Sequence, residues 1–131
     1  MKKQISIVTI MATAFSLQSK GEINYPTAPQ NGEKYECFGI SGDQLVLVDF
    51  FATWCQPCKM MHPILEQVKA VLGDRIRIIK VDVDKYGVTA SRYGIQSVPT
   101  LMLFRRGEVL WRTSGVVQRA ELLATIDPFL R

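Results

Sequence analysis

The sequence holds one histidine and three cysteines, and it has no uninterrupted apolar run of the length a bilayer demands. A spanning helix needs roughly 20 consecutive apolar residues, so that class is excluded. Three cysteines are too few to staple a disulfide-built mini-protein. A large excess of one charge sign is also lacking. Lys plus Arg number 16 against 12 Asp plus Glu, and three of the basic residues (Lys2, Lys3, Lys20) fall in the first twenty positions. The remainder is close to neutral. A nucleic-acid binder would show a concentrated basic stripe with aromatics among it, whereas Arg105-Arg106 is only a pair in a turn. Repeats and low-complexity tracts are lacking too. What is there is an ordinary globular mix, 47% hydrophobic and 21% charged over 131 residues, enough for one domain with its own core.

The first twenty residues differ from the rest. Two lysines follow Met1, and Ile5 to Leu17 is then uncharged and largely apolar. As a helix this stretch would extend about 20 Å, short of the hydrocarbon core. Positive start, short apolar run and small or polar residues after it read as a secretory signal peptide over 1–20. Ala12-Thr13-Ala14, Ser16 and Ser19 are all candidate cleavage positions. The alternative is an extra strand or packed helix. Residues 21–44 are punctuated by Pro26, Pro29, Gly32, Gly39 and Gly42 and read as an extended lead-in, with an edge strand at Lys34–Phe38.

From Leu45 onward the periodicity is clear. Leu45–Ala52 is nearly continuously apolar, as suits a strand buried on both faces. Pro57–Leu72 follows as a helix. Its Met60, Met61, Ile64, Leu65, Val68, Val71 and Leu72 fall in an arc about 140° wide. Pro63 lies inside it and predicts a kink. Arg75–Val83 is a second strand and Val88–Tyr93 a short helix closed by Gly94. Thr100–Phe104 and Glu108–Thr113 are strands joined by a tight hairpin, and Gln118–Leu130 is a last helix. A strand-helix-strand unit implies parallel pairing, and a hairpin implies antiparallel pairing. The fold class is therefore α/β, a central mixed β-sheet flanked by helices on both faces.

The chemistry lies in Cys55-Gln56-Pro57-Cys58, directly after the buried strand and at the helix start. Cysteines at this spacing can reach disulfide distance. The unpaired N–H groups and dipole of a helix start stabilise a thiolate, so Cys55 is the expected nucleophile. Cys58, one turn in and more shielded, is the expected resolving thiol. Pro57 suits a first turn, where its missing N–H costs nothing. Two other readings of the pair are a zinc half-site, which Cys37 and His62 could formally complete, and inert core thiols. The position between buried strand and helix favours redox chemistry.

Asp49 interrupts the buried strand six residues before Cys55. Burial should raise its pKa and make it a candidate proton acceptor for a thiol. The alternative is a structural carboxylate bonded to backbone. Lys80, on the neighbouring strand, either partners Asp49 or snorkels to solvent. His62 reads as a half-exposed surface residue, or else as a ring near Cys58 and Asp49 that perturbs their titration. Cys37 reads as an inert edge thiol.

The stretches VDFFATWCQPCKMMHPIL, IKVDVD, YGIQSVPTLMLFRRGEV and SGV, in that order over Leu45–Arg131, resemble the thioredoxin family. The resemblance implies the thioredoxin fold for 45–131 and protein-disulfide reductase activity; the alternatives are a redox-silent interaction module that holds a partner on the Trp54/Pro99 surface, or a small zinc-binding domain. It implies Cys55 as nucleophile, Cys58 as resolving thiol, and Asp49 assisting Cys58 with Lys80 nearby. Pro99 would follow a cis bond and face the disulfide; read alone it would be an ordinary trans proline. Trp54, Gln56, Pro57, Val98, Pro99 and Gly115 would form the substrate-docking surface. Gln56 stands where the family usually has glycine, and Phe51 where it usually has tryptophan. The proline after Gln56 is shared with reducing members. The family's first strand and helix are not recognisable in Gly21–Gln44. No metal, flavin or nucleotide is implied, since the dithiol is the redox centre. A monomer is expected, acting on protein disulfides. Its electron donor would be a membrane thiol–disulfide transporter if the leader directs export to the periplasm or beyond, or thioredoxin reductase if the protein stays cytoplasmic.

Overall fold

The computed structural model describes residue 23 and residues 43–131. The leader over 1–20, the edge strand over 34–38 and Cys37 lie outside the described residues. The described residues run β1 (Leu45–Phe51), α1 (Gln56–Leu72), β2 (Ile76–Asp82), α2 (Gly87–Arg92), β3 (Thr100–Arg105), β4 (Glu108–Ser114) and α3 (Arg119–Ile126), with 3₁₀ turns at Gly73–Arg75 and Asp127–Leu130.

Among the described residues the sheet order is β2-β1-β3-β4. β1 pairs parallel with β2 through the α1 crossover and antiparallel with β3, and β3 and β4 form the hairpin. The sheet is mixed, as expected. Alternation along β1 explains its continuous apolar run. Leu45 and Leu47 face α1 and α3, packing with Met61, Leu65, Val68, Leu122 and Ile126. Val46, Val48 and Phe50 face the other side, packing with Ile79, Val81, Met102 and Phe104 under Tyr86 and Tyr93, which flank α2. Both faces are covered, so the central strand has no polar side except at one position, Asp49.

Two predicted elements differ in detail. The apolar arc of α1 is narrower than its sequence suggests. Met61, Leu65, Val68 and Leu72 are buried, while Met60 and Val71 at the rim are exposed. Lys69 is buried instead, because its ammonium donates to the carbonyls of Gly73 at 2.9 Å and Ile76 at 2.7 Å, closing the turn into β2. The helix runs on through Pro63. The last helix stops at Ile126 and tightens into a 3₁₀ turn. Pro128 has no N–H to continue the ladder to the carbonyl four residues back. In the hairpin, Arg106 and Gly107 carry φ of 55° and 79°, and a register shift after Leu103 leaves Leu110 unpaired.

Candidate active site

The chain leaves β1 at Phe51 and turns into α1 within four residues. The Cys55 N–H donates to the Ala52 carbonyl at 3.2 Å, which folds the connection back on itself. Cys55 is the N-cap of α1, with extended backbone, and its Sγ accepts the Cys58 N–H at 3.2 Å. A side chain at this position normally carries oxygen; here sulfur takes the orphan donor. Cys55 and Cys58 are joined as a disulfide, their Cα atoms 5.3 Å apart. Exposure does not separate them as the sequence suggested, for Cys55 is 3% and Cys58 2% exposed. Val98, Val83 and Phe51 pack against the small cluster that the two cysteines form with Ala52. The asymmetry lies in hydrogen bonding: it is Cys55 Sγ that receives the helix-start N–H, the interaction that lowers a thiol's pKa.

A second segment meets the first. The Val98-Pro99 bond is cis, as the resemblance implied, and Cys55 Sγ lies 3.6 Å from the Val98 carbonyl oxygen. This loop is tied on both sides. The Thr100 hydroxyl donates to the Ser97 carbonyl at 2.7 Å, and the Gly115 N–H donates to the Pro99 carbonyl at 2.9 Å. Gly115 has φ 95°, a conformation that L residues rarely adopt, so the backbone there favours glycine although a Cβ would have room. Val98, Pro99 and Gly115 are thus gathered at the disulfide. Trp54 is 70% exposed beside it, and Gln56 and Pro57 are exposed as well. The Trp54 indole N–H donates to Asp84 at 3.0 Å. The sequence reading gave Asp84 no role, although it ends the quoted IKVDVD stretch. Only the fold brings β2's end beside Trp54.

Asp49 is fully buried. It lies between Leu47 and Phe51 on the alternation, hence on the sheet face that α1 covers. Neither carboxylate oxygen accepts a hydrogen bond from the described residues, so the structural alternative of a backbone-bonded carboxylate does not hold. Desolvation pushes its pKa up to about 7, with the nearby Lys80 acting in the opposite direction. Lys80 is its register partner on β2, and Lys80 Nζ lies 3.9 Å from Asp49 Oδ2. Lys80 does not snorkel out. It is buried, 4.5 Å over the Phe51 ring, and desolvation lowers its pKa while Asp49 raises it. His62 is half-buried, and its ring meets Lys80 at 3.3 Å. No three His, Cys, Asp or Glu side chains gather as metal ligands among the described residues, and Cys37 is not one of those.

A family model described as Thioredoxin matches residues 27–128. The match begins inside the lead-in, where the residue pattern alone revealed no family strand or helix. The chain is 52% identical over 85 residues to a thioredoxin-like protein of Synechocystis sp., covering 65% of this chain and 81% of that one. It is 39% identical over 90 residues to thioredoxin of Bacillus subtilis, covering 69% and 86%. A solved mutant thioredoxin from Halobacterium salinarum superimposes with a TM-score of 0.73 at 32% identity, covering 86% of this chain and 95% of that one. Agreement of that extent, in sequence and in fold alike, means that this chain belongs to the thioredoxin family, and its paired cysteines make it a thiol–disulfide oxidoreductase.

Proposed function

We propose that the protein works as a reductant of protein disulfides, cycling between a Cys55/Cys58 dithiol and the disulfide. The observation that carries this reading is the sulfur of Cys55 capping α1, with the Cys58 N–H aimed at it. That arrangement stabilises a Cys55 thiolate in the reduced protein. The thiolate attacks one sulfur of a substrate disulfide, forms a mixed disulfide and expels the other substrate sulfur as thiolate. The Cys58 thiol gives its proton to Asp49. The resulting Cys58 thiolate attacks Cys55, closes the intramolecular disulfide and releases the second substrate thiolate. Two electrons pass to the substrate, and the protein leaves oxidised. Lys80, beside Asp49, modulates the proton affinity of that carboxyl.

The surface around Cys55 suits an extended substrate segment. Trp54, Gln56 and Pro57 line one side, and Val98, Pro99 and Gly115 the other. Thioredoxins act on protein disulfides and take electrons from a reductase, with no cofactor beyond the dithiol. For this chain we assign action as a monomer outside the cytoplasm, from the charged and apolar leader over 1–20, and a membrane thiol–disulfide transporter as donor. A cytoplasmic protein would instead take electrons from thioredoxin reductase.

Insulin reduction driven by dithiothreitol tests the chemistry. The wild type should accelerate it, Cys55→Ser should abolish the acceleration, and Cys58→Ser should accumulate mixed disulfides. A wild type no faster than dithiothreitol alone would remove the proposal. Sequencing the N-terminus of the mature protein tests the compartment: an intact Met1 start would overturn export.

A further inference from the structure

Asp49 presents an anomaly. A buried carboxylate beside a lysine should draw the ammonium into a hydrogen bond, at roughly 2.7–2.9 Å. Lys80 Nζ instead stops 3.9 Å away. The same nitrogen lies closer to another partner, 3.3 Å from His62 Nδ1. An ammonium has only donors, so this contact requires the lone pair of a neutral imidazole on Nδ1. The remaining ring proton is then on Nε2, which faces Glu66 Oε2 at 3.8 Å. Exposure of the four side chains falls steadily inward: Glu66 57%, His62 40%, Lys80 7%, Asp49 0%. The Phe51 ring beneath Lys80 completes the cradle.

We propose that His62 is a positioning residue that draws the Lys80 ammonium off Asp49, so that Asp49 keeps enough basicity to take the Cys58 proton. The inference rests on the reductase reading for its purpose, though not for its geometry. Two groups compete for one cation. If His62 is removed, Lys80 closes onto the carboxylate, and a cation at contact makes a carboxylate a weaker base. The charged groups facing the pair are Asp49 from β1, Lys80 from β2 and Glu66 from α1 itself. Glu66 favours the charged form of Lys80, as Asp49 does. Burial acting on Asp49 supplies the high starting basicity that His62 preserves. His62 does not touch the sulfurs; it acts through Lys80.

The test compares the wild type with His62→Ala and His62→Gln. Gln can accept from Lys80 through its amide oxygen, whereas Ala offers no acceptor. The Asp49 carboxyl is followed by carbon-detected NMR across pH in the oxidised full-length protein, with thermal melting to confirm that each variant folds. His62→Ala should lower the Asp49 midpoint, with ~10-fold weaker proton binding. The pH profile of insulin reduction should move the same way. His62→Gln should restore most of the midpoint. A midpoint unchanged or raised in His62→Ala, or one that His62→Gln fails to restore, would overturn the proposal. The titration does not depend on catalysis, so an inactive wild type would remove the reductase reading while this geometry still faced its own test.

Discussion

Asp49 is the residue at which stability and chemistry conflict. Its pKa is raised to about 7 in the folded protein, chiefly by burial. In an unfolded chain the same carboxyl titrates near ~3.9. Between those values the folded state binds the proton more tightly, so stability falls as pH rises through that window. The contribution is unimpaired below the unfolded value and fully lost above about 7. At 1.36 kcal/mol per unit this gives a cost on the order of 4 kcal/mol at alkaline pH, already net of the favourable Lys80 pairing. Asp49→Asn should therefore raise the free energy of unfolding measured in urea at pH 8 by about 2 to 4 kcal/mol. The gain should vanish below pH ~4. The same variant should slow release of reduced substrate from the mixed disulfide, because the proposed mechanism makes Asp49 the acceptor of the Cys58 proton. An Asp49→Asn protein less stable than wild type at pH 8 would contradict this account. The sequence already marked Asp49, since a carboxylate inside an apolar strand is conspicuous. It could not reveal that Lys80 is held short of contact, because His62 and Lys80 are far apart in sequence and meet only when α1 lies over β2.

At the scale of elements, α1 illustrates how a helix boundary is set. Its C-terminus is closed by Gly73, with φ 56° and ψ −128°, and the Gly73 N–H reaches back to the Lys69 carbonyl. Only glycine adopts that backbone without strain. A Cβ there would meet nothing within 4 Å, so the requirement is conformational and not steric crowding. Gly73→Ala should cost about 1 to 3 kcal/mol and lower the melting temperature while leaving disulfide reduction intact. A variant melting with the wild type would show that the turn relaxes. The helix also shows where periodicity misleads. An arc of apolar residues predicts roughly which side faces the core, but not its limits: only one end of the arc is buried, and the buried face continues past it to Cys58 and Lys69. Lys69 enters the core because two free carbonyls at the turn need a donor, a demand invisible in the apolar pattern. The split of the final helix at Pro128 was legible from proline's missing N–H; the apolar spacing that continues through Leu130 obscured it.

For the whole molecule, the two faces of β1 organise everything. One face carries α1 and α3 and the cysteine pair at the α1 start; the other is closed by α2 and its aromatic flanks. The larger cluster joins the two helices to the sheet through Leu65, Met61 and Leu122, and Met61 sulfur also receives the Val117 N–H at 3.3 Å. Leu65 is fully buried at this junction. Leu65→Ala should cost about 2 to 5 kcal/mol. That is a large share of the ~5 to 15 kcal/mol typical of a domain, so global unfolding should shift to markedly lower urea. A change below 1 kcal/mol would mean that α1 slides to fill the gap.

The residues alone determined the layered mixed sheet, the redox pair and the buried carboxylate. Each is a local signal: a strand apolar on both faces, two cysteines at a helix start, a charge where none belongs. The tertiary structure decided what lies between elements distant in the chain. It set Cys55 against the Val98 carbonyl, Trp54 against Asp84, and Lys80 between His62 and Asp49. The physical reason is that a side chain's burial and hydrogen-bond partners are properties of the space between elements, and periodicity along one element specifies only which way it faces.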